Sequence, residues 1–519
     1  MSKNRLLNVC LNCLCFICLL TILLQVQVPL LQAQSSGVRV WEEALVVPTY
    51  LVGPLEPNPI FYSGRAYQGA KGPVYPYPFL DRLTDHRLDK TYKAVYLENK
   101  YIKVCVLPEI GGRIFSAVDK TNGYDFVYRQ HVIKPALIGM LGAWISGGVE
   151  WNIPHHHRAT TFMEVDHAIV QNRDGSATVW VGELELRHRM KWLVGLTLYP
   201  DKSCIEVTMK VFNRTPLAHS MLAWANVAIR ANPDYQIFFS PDVEFATFHG
   251  KNQFSRWPIS TEVFNRQDYT RGVDVSWWKS HTSPTSFFAW EARGDFLAGY
   301  DHGKDAGVTF VADRNFVPGK KLWTWGTGSE GKLWEKILTE TDGPYAELMI
   351  GAFSDNQPDY SWIQPYEVRT VRQYWYPIQK IEGVRAANEE GACNLMVTEQ
   401  HAARIGMQPT RYLDAVRVVL KAADRTIFAE TTSAGPDRPF LKDVVLPANV
   451  KEEDLRLAFL AADGREILSY KPAEKEKKPL PAVVTPPAAA KDIATVEELY
   501  LTGLRLEQFY NPALEPYPY

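Results

Sequence analysis

Short runs of alternating apolar and polar residues make up most of the chain between residues 38 and 376. In residues 93–99 and 177–186, for example, apolar side chains recur at about every second position. This period of two is typical of β-strands that bury one face. The pairs Asn122-Gly123 and Asp174-Gly175 fall between such runs, where tight hairpin turns need residues that tolerate a positive φ. The pattern predicts a mainly β protein built on a large antiparallel β-sandwich. Around residues 134–144, Pro, Gly and Met are mixed with apolar residues, which predicts a short helix or loop between strands.

The rest of the chain is expected to form smaller units. We assign residues 35–378 to the large β-domain and residues 385–473 to a small immunoglobulin-like β-sandwich, because strand-like runs resume there over a length usual for that architecture. Residues 474–492 are rich in Lys, Glu, Pro and Ala and predict an extended, semi-rigid linker.

Residues 493–519 predict an amphipathic helix. Thr495 is expected to cap it, with the carboxylate of Glu498 three residues further on. Leu499, Gly503 and Leu506 fall near the positions typical of the first helix of a tetratricopeptide repeat. A single helix cannot bury its own apolar face. The helix therefore either docks on the sandwich, or the chain is a shortened relative of a longer repeat protein. The helix could also contact a protein partner.

The N-terminus has the successive regions of a signal peptide. Lys3 and Arg5 precede an apolar stretch at residues 11–31, and small polar residues follow it. Residues 1–34 are therefore predicted to direct export to a periplasm or the cell exterior, with membrane contact only through this signal. An uncleaved anchor is one alternative. A lipoprotein is another, although none of the four cysteines in the segment follows a lipobox.

Composition narrows the range of ligands. The formal net charge of −2 and the lack of a basic stripe with interleaved aromatics argue against a nucleic-acid partner. Aromatic residues make up 12% of the chain, with 15 Trp, and their flat apolar faces suit the C–H faces of sugars, although a large β-core also uses them. Cys105, Cys204 and Cys393 are too few and too widely spaced for a disulfide framework or a zinc ribbon, so we expect buried core thiols.

Two segments with glycine pairs suggest binding loops. In residues 108–123, Gly111 and Gly112 interrupt a strand, where Arg113 would either grip sugar hydroxyls or form a salt bridge that holds the bulge. Residues 144–158 combine a Gly-Gly pair with aromatic, carboxylate, amide and imidazole groups, and the candidates there for sugar binding or proton transfer are Glu150, Trp151, Asn152, His156 and His157. One or more of the neighbouring histidines could instead lie in an exposed loop.

No matching third ligand is evident for zinc, so no cofactor is expected, although calcium could bind carboxylates and carbonyls without a spacing signature.

A third segment, residues 343–358, places a carboxylate in an apolar strand. Tyr345, Glu347 and Met349 should share one face of that strand. Because an apolar wall disfavours the charged form, Glu347 suits a general acid or base, unless a nearby Arg or Lys pairs with it. Trp323 and Trp325 are expected at the rim of a glycan cleft.

These motifs together resemble a known family. Residues 147–152 (Gly-Gly-Val-Glu-Trp-Asn), 213–216, 224–228 and 345–349 are similar to domain of unknown function 5107 in the galactose-mutarotase-like superfamily, whose members often continue into tetratricopeptide repeats. The resemblance implies a catalytic carboxylate at Glu347. Where aldose epimerases have an Asn-His pair, this chain has Trp224 and Asn226, so Trp224 is expected to stack on a sugar and Asn226 to bind a hydroxyl.

Two functions follow from these expectations. The first is an exported carbohydrate-active enzyme that acts at an anomeric centre or a glycosidic bond. Glu347 would move a proton, His156 or His157 would be its partner, and Arg113 and Glu150 would hold hydroxyls. In a glycoside hydrolase Glu150 would be the second carboxylate. The alternative is a non-catalytic glycan-binding scaffold with a protein-interaction tail.

Overall fold

The structure is a computed structural model, and it describes residues 37–56, 74–357, 359–473, 478–508 and 516–519. The predicted signal peptide lies outside the described residues. Within these ranges, no helix has the length and hydropathy needed to cross a membrane.

In the described part of the chain that precedes residue 380, the regular structure is almost entirely β-strand. Its strands are, in chain order, β1 Arg39–Val52, β2 Leu83–Glu98, β3 Ile102–Leu107, β4 Arg113–Asp119, β5 Tyr124–Val127, β6 Ala136–Gly139, β7 Gly142–Trp144, β8 Val149–Asn152, β9 Asp166–Gln171, β10 Ala177–Glu185, β11 Met190–Leu198, β12 Ile205–Asn213, β13 His219–Met221, β14 Ala223–Arg230, β15 Tyr235–Phe239, β16 Phe245–Thr247, β17 Phe254–Arg256, β18 Ile259–Ser260, β19 Val263–Phe264, β20 Gln267–Asp268, β21 Val273–Asp274, β22 Thr285–Ala289, β23 Phe296–Asp301, β24 Ala306–Val311, β25 Gly319–Thr324, β26 Tyr345–Ala352, β27 Ser361–Ile363 and β28 Val368–Gln379. Helix α1 spans Ser329–Leu338, and short 3-10 turns occur at His249–Lys251 and Trp278–Ser280.

Two large antiparallel sheets form a sandwich, as predicted. The first sheet has twelve strands in the order β1-β2-β3-β4-β8-β14-β26-β25-β22-β16-β17, with β5 paired to β4. The second sheet has eight strands in the order β15-β23-β24-β28-β12-β11-β10-β9. Because side chains alternate along each strand, one face of each sheet turns its apolar residues into the shared core. Trp151 of the first sheet stacks on Trp375 of the second with ring centroids 5.7 Å apart.

Local turns explain how consecutive strands reverse. Gly123 and Gly175 have φ values of 77° and 82°, which confirms the hairpin turns predicted at both glycines. Residues 134–144 form the two-stranded ribbon of β6 and β7 rather than a helix, because the backbone pairs Ala136 with Trp144 across a turn at residues 140–141. The mixture of Pro, Gly and apolar residues reflects that hairpin.

A small immunoglobulin-like β-sandwich follows, as predicted. Its strands are β29 Ala386–Asn388, β30 Gly391–Val397, β31 Ala402–Pro409, β32 Leu413–Ala422, β33 Arg425–Ala434, β34 Phe440–Val445, β35 Leu455–Ala461 and β36 Glu466–Tyr470, with a 3-10 turn at Glu452–Asp454. They form two four-stranded sheets, β29-β30-β31-β34 and β33-β32-β35-β36, around their own apolar core. The cysteines Cys105, Cys204 and Cys393 are buried and free, in agreement with their prediction as core thiols.

The C-terminal helix is confirmed. After a 3-10 turn at Ala490–Asp492, helix α2 spans Val496–Gln508. The backbone N–H of Glu498 donates to Thr495 Oγ1 at 3.2 Å, which is the predicted capping contact. Tyr500 and Leu501 are exposed, whereas Leu506 is buried.

Candidate functional site

Four adjacent strands of the first sheet place a row of polar side chains on the face opposite the sandwich core. In the register of β8, β14, β26 and β25, Glu150 pairs with Asn226, and Asn226 pairs with Met349. Glu347 lies two positions along β26 and pairs with Trp323 of β25. Since side chains alternate, these residues share one face. The sheet therefore gathers groups that are up to about two hundred residues apart in the chain.

A close approach of backbones shapes the edge of this row. Gly147 and Gly148 have φ values of 82° and 66°, and a Cβ at Gly148 would lie 2.3 Å from the carbonyl oxygen of Ile114. Arg113 Nη1 donates to the carbonyl oxygens of Ile145 at 3.2 Å and of Gly147 at 2.7 Å. The guanidinium thus holds the loop that leads into β8, and the salt bridge considered for it is not formed with any described carboxylate.

The row borders a cavity of about 150 Å³. Its lining residues are Ile138, Trp144, His156, His157, Asn226, His249, Lys321, Trp323, Trp325, Tyr345, Glu347, Met349 and Gln357.

Glu347 lies on the cavity wall with 5% of its surface exposed. Tyr345 donates its hydroxyl to Glu347 Oε1 at 3.1 Å. Burial raises the pKa of Glu347 well above the usual carboxyl range, and the negative charge of Glu150 raises it further, while His157 and Lys321 oppose both effects. Glu347 can therefore exchange a proton near neutral pH.

Glu150 and His157 form a hydrogen-bonded pair beside Glu347. His157 Nδ1 lies 3.0 Å from Glu150 Oε2, and Thr161 donates its hydroxyl to Glu150 Oε1 at 2.8 Å. Burial disfavours both charges, but their mutual attraction outweighs it: the pKa of Glu150 is lowered and the pKa of His157 is raised. Because Nδ1 is engaged by Glu150, Nε2 of His157 faces away from that carboxylate. The pair favours a cationic imidazolium held in a fixed orientation.

The second predicted histidine, His156, has a different state. It lines the cavity, and its Nδ1 has no hydrogen-bond partner among the described residues. Burial and the neighbouring His157 lower the pKa of His156 to about 3, so its ring is neutral. A neutral imidazole can hydrogen-bond a hydroxyl, but its lowered pKa makes it a weaker general base than an ordinary histidine.

Six of the predicted site residues line the cavity: Glu347, His156, His157, Asn226, Trp323 and Trp325. Trp323 and Trp325 meet edge to face with ring centroids 4.4 Å apart. Trp325 also stacks on Trp334 of α1 at 4.2 Å, which fixes its ring. Asn226 Oδ1 is buried and has no partner within the described ranges, so it can accept a hydrogen bond from a ligand.

The structure does not bring Trp151 or Trp224 to the cavity. Trp151 alternates with Glu150 and therefore points into the core, where its indole N–H donates to the carbonyl oxygen of Gly112 at 2.9 Å. Trp224 is on the same face as Asn226, but its ring packs over Gly351 and donates to Ser354 Oγ at 3.2 Å. Both tryptophans are fully buried, so neither can stack on a sugar.

Three further candidates lie behind the wall of the cavity. Asn152 accepts the backbone N–H of Arg158 at 3.1 Å and is fully buried. Arg113 and Glu150 were expected to hold hydroxyls. Instead, Arg113 donates to backbone carbonyl oxygens and Glu150 is hydrogen-bonded to His157. These residues shape the site and are not placed to contact a ligand directly.

Lys321, His249 and Gln357 were not predicted, yet they form one side of the cavity. Lys321 alternates with Leu322 and precedes Trp323 by two positions, so the period of two could have placed it beside that tryptophan. His249 and Gln357 come from segments without a periodic pattern. In the part of the chain that the structure describes, no group of three or more His, Cys, Asp or Glu side chains is arranged to hold a metal ion.

Comparison with known proteins gives two family matches. Residues 70–378 match the family described as domain of unknown function (DUF5107), and residues 386–470 match YphG-like protein, second domain. The solved structure of a TPR-domain containing protein from Parabacteroides distasonis is similar, with 23% identity and a TM-score of 0.57. That match covers 66% of this chain and 56% of the other, so this chain spans little more than half the length of that protein.

Galactose mutarotase-like proteins are also among the matched structures. The protein from Clostridium acetobutylicum has 12% identity and a TM-score of 0.39, over 56% of this chain and 96% of its own. The protein from Lactobacillus casei has 10% identity and a TM-score of 0.38, over 55% of this chain and 100% of its own.

Proposed function

This chain belongs to the family described as domain of unknown function (DUF5107), and from the cavity of its β-sandwich we propose that it is an exported carbohydrate-active enzyme that transfers protons at the anomeric centre of a sugar. Residues 1–34 support export because they are arranged like a signal peptide. The catalytic pair is Glu347 and His157.

One observation supports this proposal above the others: a carboxyl group with a raised pKa and an imidazole with a raised pKa border the same small cavity. An acid and a base whose pKa values approach the working pH are efficient proton-transfer groups. Glu347 would accept the proton of the anomeric hydroxyl while His157 donates a proton to the ring oxygen. The bond between the anomeric carbon and the ring oxygen breaks, its electron pair goes to the ring oxygen, and a carbonyl forms. Ring closure on the other face of that carbonyl returns both protons.

Other lining groups support a sugar as the ligand. Trp144, Trp323 and Trp325 provide flat apolar surfaces around the cavity. Asn226 Oδ1 and His156 Nδ1 offer buried polar atoms without partners among the described residues, and sugar hydroxyls would satisfy them.

The geometry favours proton transfer over hydrolysis by two carboxylates. A glycosidase needs a second carboxyl group free to act on the substrate or on water. Glu150 is bonded to His157 and Thr161 and is buried, so it orients the imidazole instead.

Anomer exchange measured by NMR on a panel of free aldoses tests the proposal. We expect the protein to accelerate exchange for at least one sugar. Glu347→Gln and His157→Asn should each lower kcat by about a hundredfold or more, because general acid-base groups typically contribute a factor of that order. Trp180→Phe, a change at a half-buried position on the second sheet, is the control and should leave kcat unaltered. Lack of acceleration across the panel, or full activity of both variants, would refute the proposal.

A second candidate is a non-catalytic glycan-binding scaffold, and the exposed apolar face of α2 favours it. Val496, Tyr500 and Leu501 have 78%, 64% and 61% of their surface exposed, which suits contact with a protein partner. Under this alternative, the protein binds a sugar without exchanging its anomers, and Glu347→Gln changes affinity alone.

A further inference from the structure

Lys321, Gln357 and His249 form one wall of the cavity, which we call the lysine wall. Lys321 Nζ donates to Gln357 Oε1 at 2.9 Å and lies 3.1 Å from His249 Nε2. Because an ammonium group can only donate hydrogen bonds, both of these partners are acceptors. This contact also fixes the orientation of the Gln357 amide, whose Nε2 is then a donor.

The lysine wall has donors that its own residues do not satisfy. An ammonium group has three N–H donors, and the two contacts above use two of them. Gln357 Nε2 is buried and has no partner among the described residues. Lys321 and Gln357 are only 2% and 3% exposed. Since unpaired buried donors are costly, a ligand with acceptor atoms would be stabilised here.

The charge of Lys321 is not balanced by a carboxylate in direct contact. No described carboxylate lies within 4.0 Å of Lys321 Nζ, and burial lowers the pKa of Lys321, with the charge of Glu347 opposing the shift. His157 is paired with Glu150, and Glu347 is the remaining acid. Arg113 does not line the cavity and is bonded to neutral carbonyl oxygens. His157 and Glu150 neutralise each other, so an anionic ligand at the lysine wall would act mainly on Lys321 and would stabilise its charged ammonium form.

We propose that the substrate is a sugar bearing a carboxylate, as a hexuronic acid does, and that Lys321 and Gln357 bind that carboxylate. This inference rests on the proposed function, because it assigns the substrate of the same cavity. Two adjacent donors, one charged and one neutral, match the two oxygens of one carboxylate. A phosphate presents three oxygens and a larger charge than this wall can satisfy. His249 positions Lys321, while Glu347 and His157 remain available to the anomeric centre.

Calorimetric titration tests this assignment with three sugar arms. D-glucuronate and D-galacturonate are compared with neutral D-glucose and D-galactose, and D-glucose 6-phosphate separates carboxylate from phosphate binding. We expect at least one uronate to bind about tenfold or more tightly than its neutral counterpart, which is the usual contribution of a charge-assisted hydrogen bond. Lys321→Met should remove this advantage, so that the uronate and its neutral counterpart bind with similar affinity.

Lys320→Met is the matched control. Lys320 is the adjacent residue on β25 and is also buried, but it pairs with Ile350 on the core-facing side and does not line the cavity. This variant should keep the uronate preference. If Lys321→Met fails to fold, Gln357→Leu removes the amide donor and the acceptor for Lys321 at constant charge, and it should reduce the preference several-fold.

The outcomes separate this inference from the proposed function. Equal affinity for uronates and neutral sugars, or tighter binding of D-glucose 6-phosphate than of D-glucuronate, would overturn the carboxylate assignment and leave proton transfer intact. A protein that neither binds nor exchanges any sugar of the panel would overturn both. An unchanged uronate preference in Lys321→Met and Gln357→Leu would also reject the lysine wall as the anchor.

Discussion

Glu150 and Glu347 are on strands that flank β14, and their neighbours give them different tasks. Glu150 has an imidazolium partner and a hydroxyl donor, so its pKa is lowered and it remains charged. Glu347 receives one hydrogen bond from Tyr345 and is repelled by Glu150, so its pKa is raised and it can exchange a proton. Environments that move two carboxyl pKa values apart are typical of acid-base sites.

At this scale, Glu150→Gln should change the pH dependence of the reaction. Burial lowers the pKa of His157 and Glu150 raises it above its usual value, so removal of the Glu150 carboxylate leaves burial opposed only by the weaker effect of Glu347 and lowers the pKa of His157. Because His157 must be protonated to act as the acid, activity is lost as the pH rises through its pKa. We expect this alkaline limb to move to lower pH in a pH–kcat profile of Glu150→Gln. Thr161→Val, which removes a hydrogen bond but no charge from Glu150, should move it far less. An alkaline limb that stays in place in Glu150→Gln would refute the role of the pair.

At the scale of elements, the entry into β8 determines where Glu150 and the histidines lie. The backbone of Gly148 forms hydrogen bonds with both Tyr128 and Ala228. Its φ of 66° and its position against Ile114 leave no room for a side chain. The glycine is therefore required by geometry at this point.

Gly148→Ala should destabilise the protein far more than Gly123→Ala. Both glycines have a positive φ, which costs alanine about 1–2 kcal/mol. A Cβ at Gly123 meets nothing within 4 Å, whereas at Gly148 it would lie 2.3 Å from Ile114 O, and such overpacking adds about 1–3 kcal/mol. Urea unfolding should give a loss of about 2–5 kcal/mol for Gly148→Ala. Equal losses in the two variants would show that the loop can shift to accept a side chain.

Strand alternation predicted part of this site and could not predict the rest. It correctly placed Tyr345, Glu347 and Met349 on one face, because they follow one regular strand. It could not decide which of Glu150 and Trp151 lies on the face of the sheet opposite the core, since both faces of β8 are buried. It also could not show that Gly351, on the neighbouring strand, would leave space that the ring of Trp224 fills.

Contacts between segments that are far apart in the sequence could not be predicted either, because strand alternation describes only neighbouring residues. The lysine wall joins residues from β25, from the turn at His249–Lys251 and from the segment after β26, and only the folded sheet brings them together. The fold class and the family, by contrast, follow from repeated local patterns and motifs, and both predictions are confirmed. The domain boundaries, the export signal and the assigned roles of the site residues stay predictions.

At the scale of the whole molecule, the two sandwiches share an apolar joint. A buried cluster includes Cys204 and Ile378 from the large sandwich, Ile381 from the connection, and Ala392 from the small sandwich. Polar contacts reinforce it: Gln408 Nε2 donates to the carbonyl oxygen of Pro377 at 3.1 Å. An apolar joint of this kind resists independent motion of the two units more than a polar one.

This joint predicts that the two sandwiches unfold together. Multidomain chains often melt in separate steps, so a single calorimetric transition would be informative. Ile381 is fully buried in the joint, and its carbonyl oxygen accepts Asn394 Nδ2 at 2.9 Å. Ile381→Ala should therefore lower the free energy of unfolding by about 2–5 kcal/mol and shift the whole transition, because both units lose the same contact. Ile259→Ala, at a position 48% exposed on the large sandwich, should cost well under about 1 kcal/mol. Two resolved transitions in the unaltered protein, of which Ile381→Ala shifts just one, would mean that the joint does not couple the sandwiches.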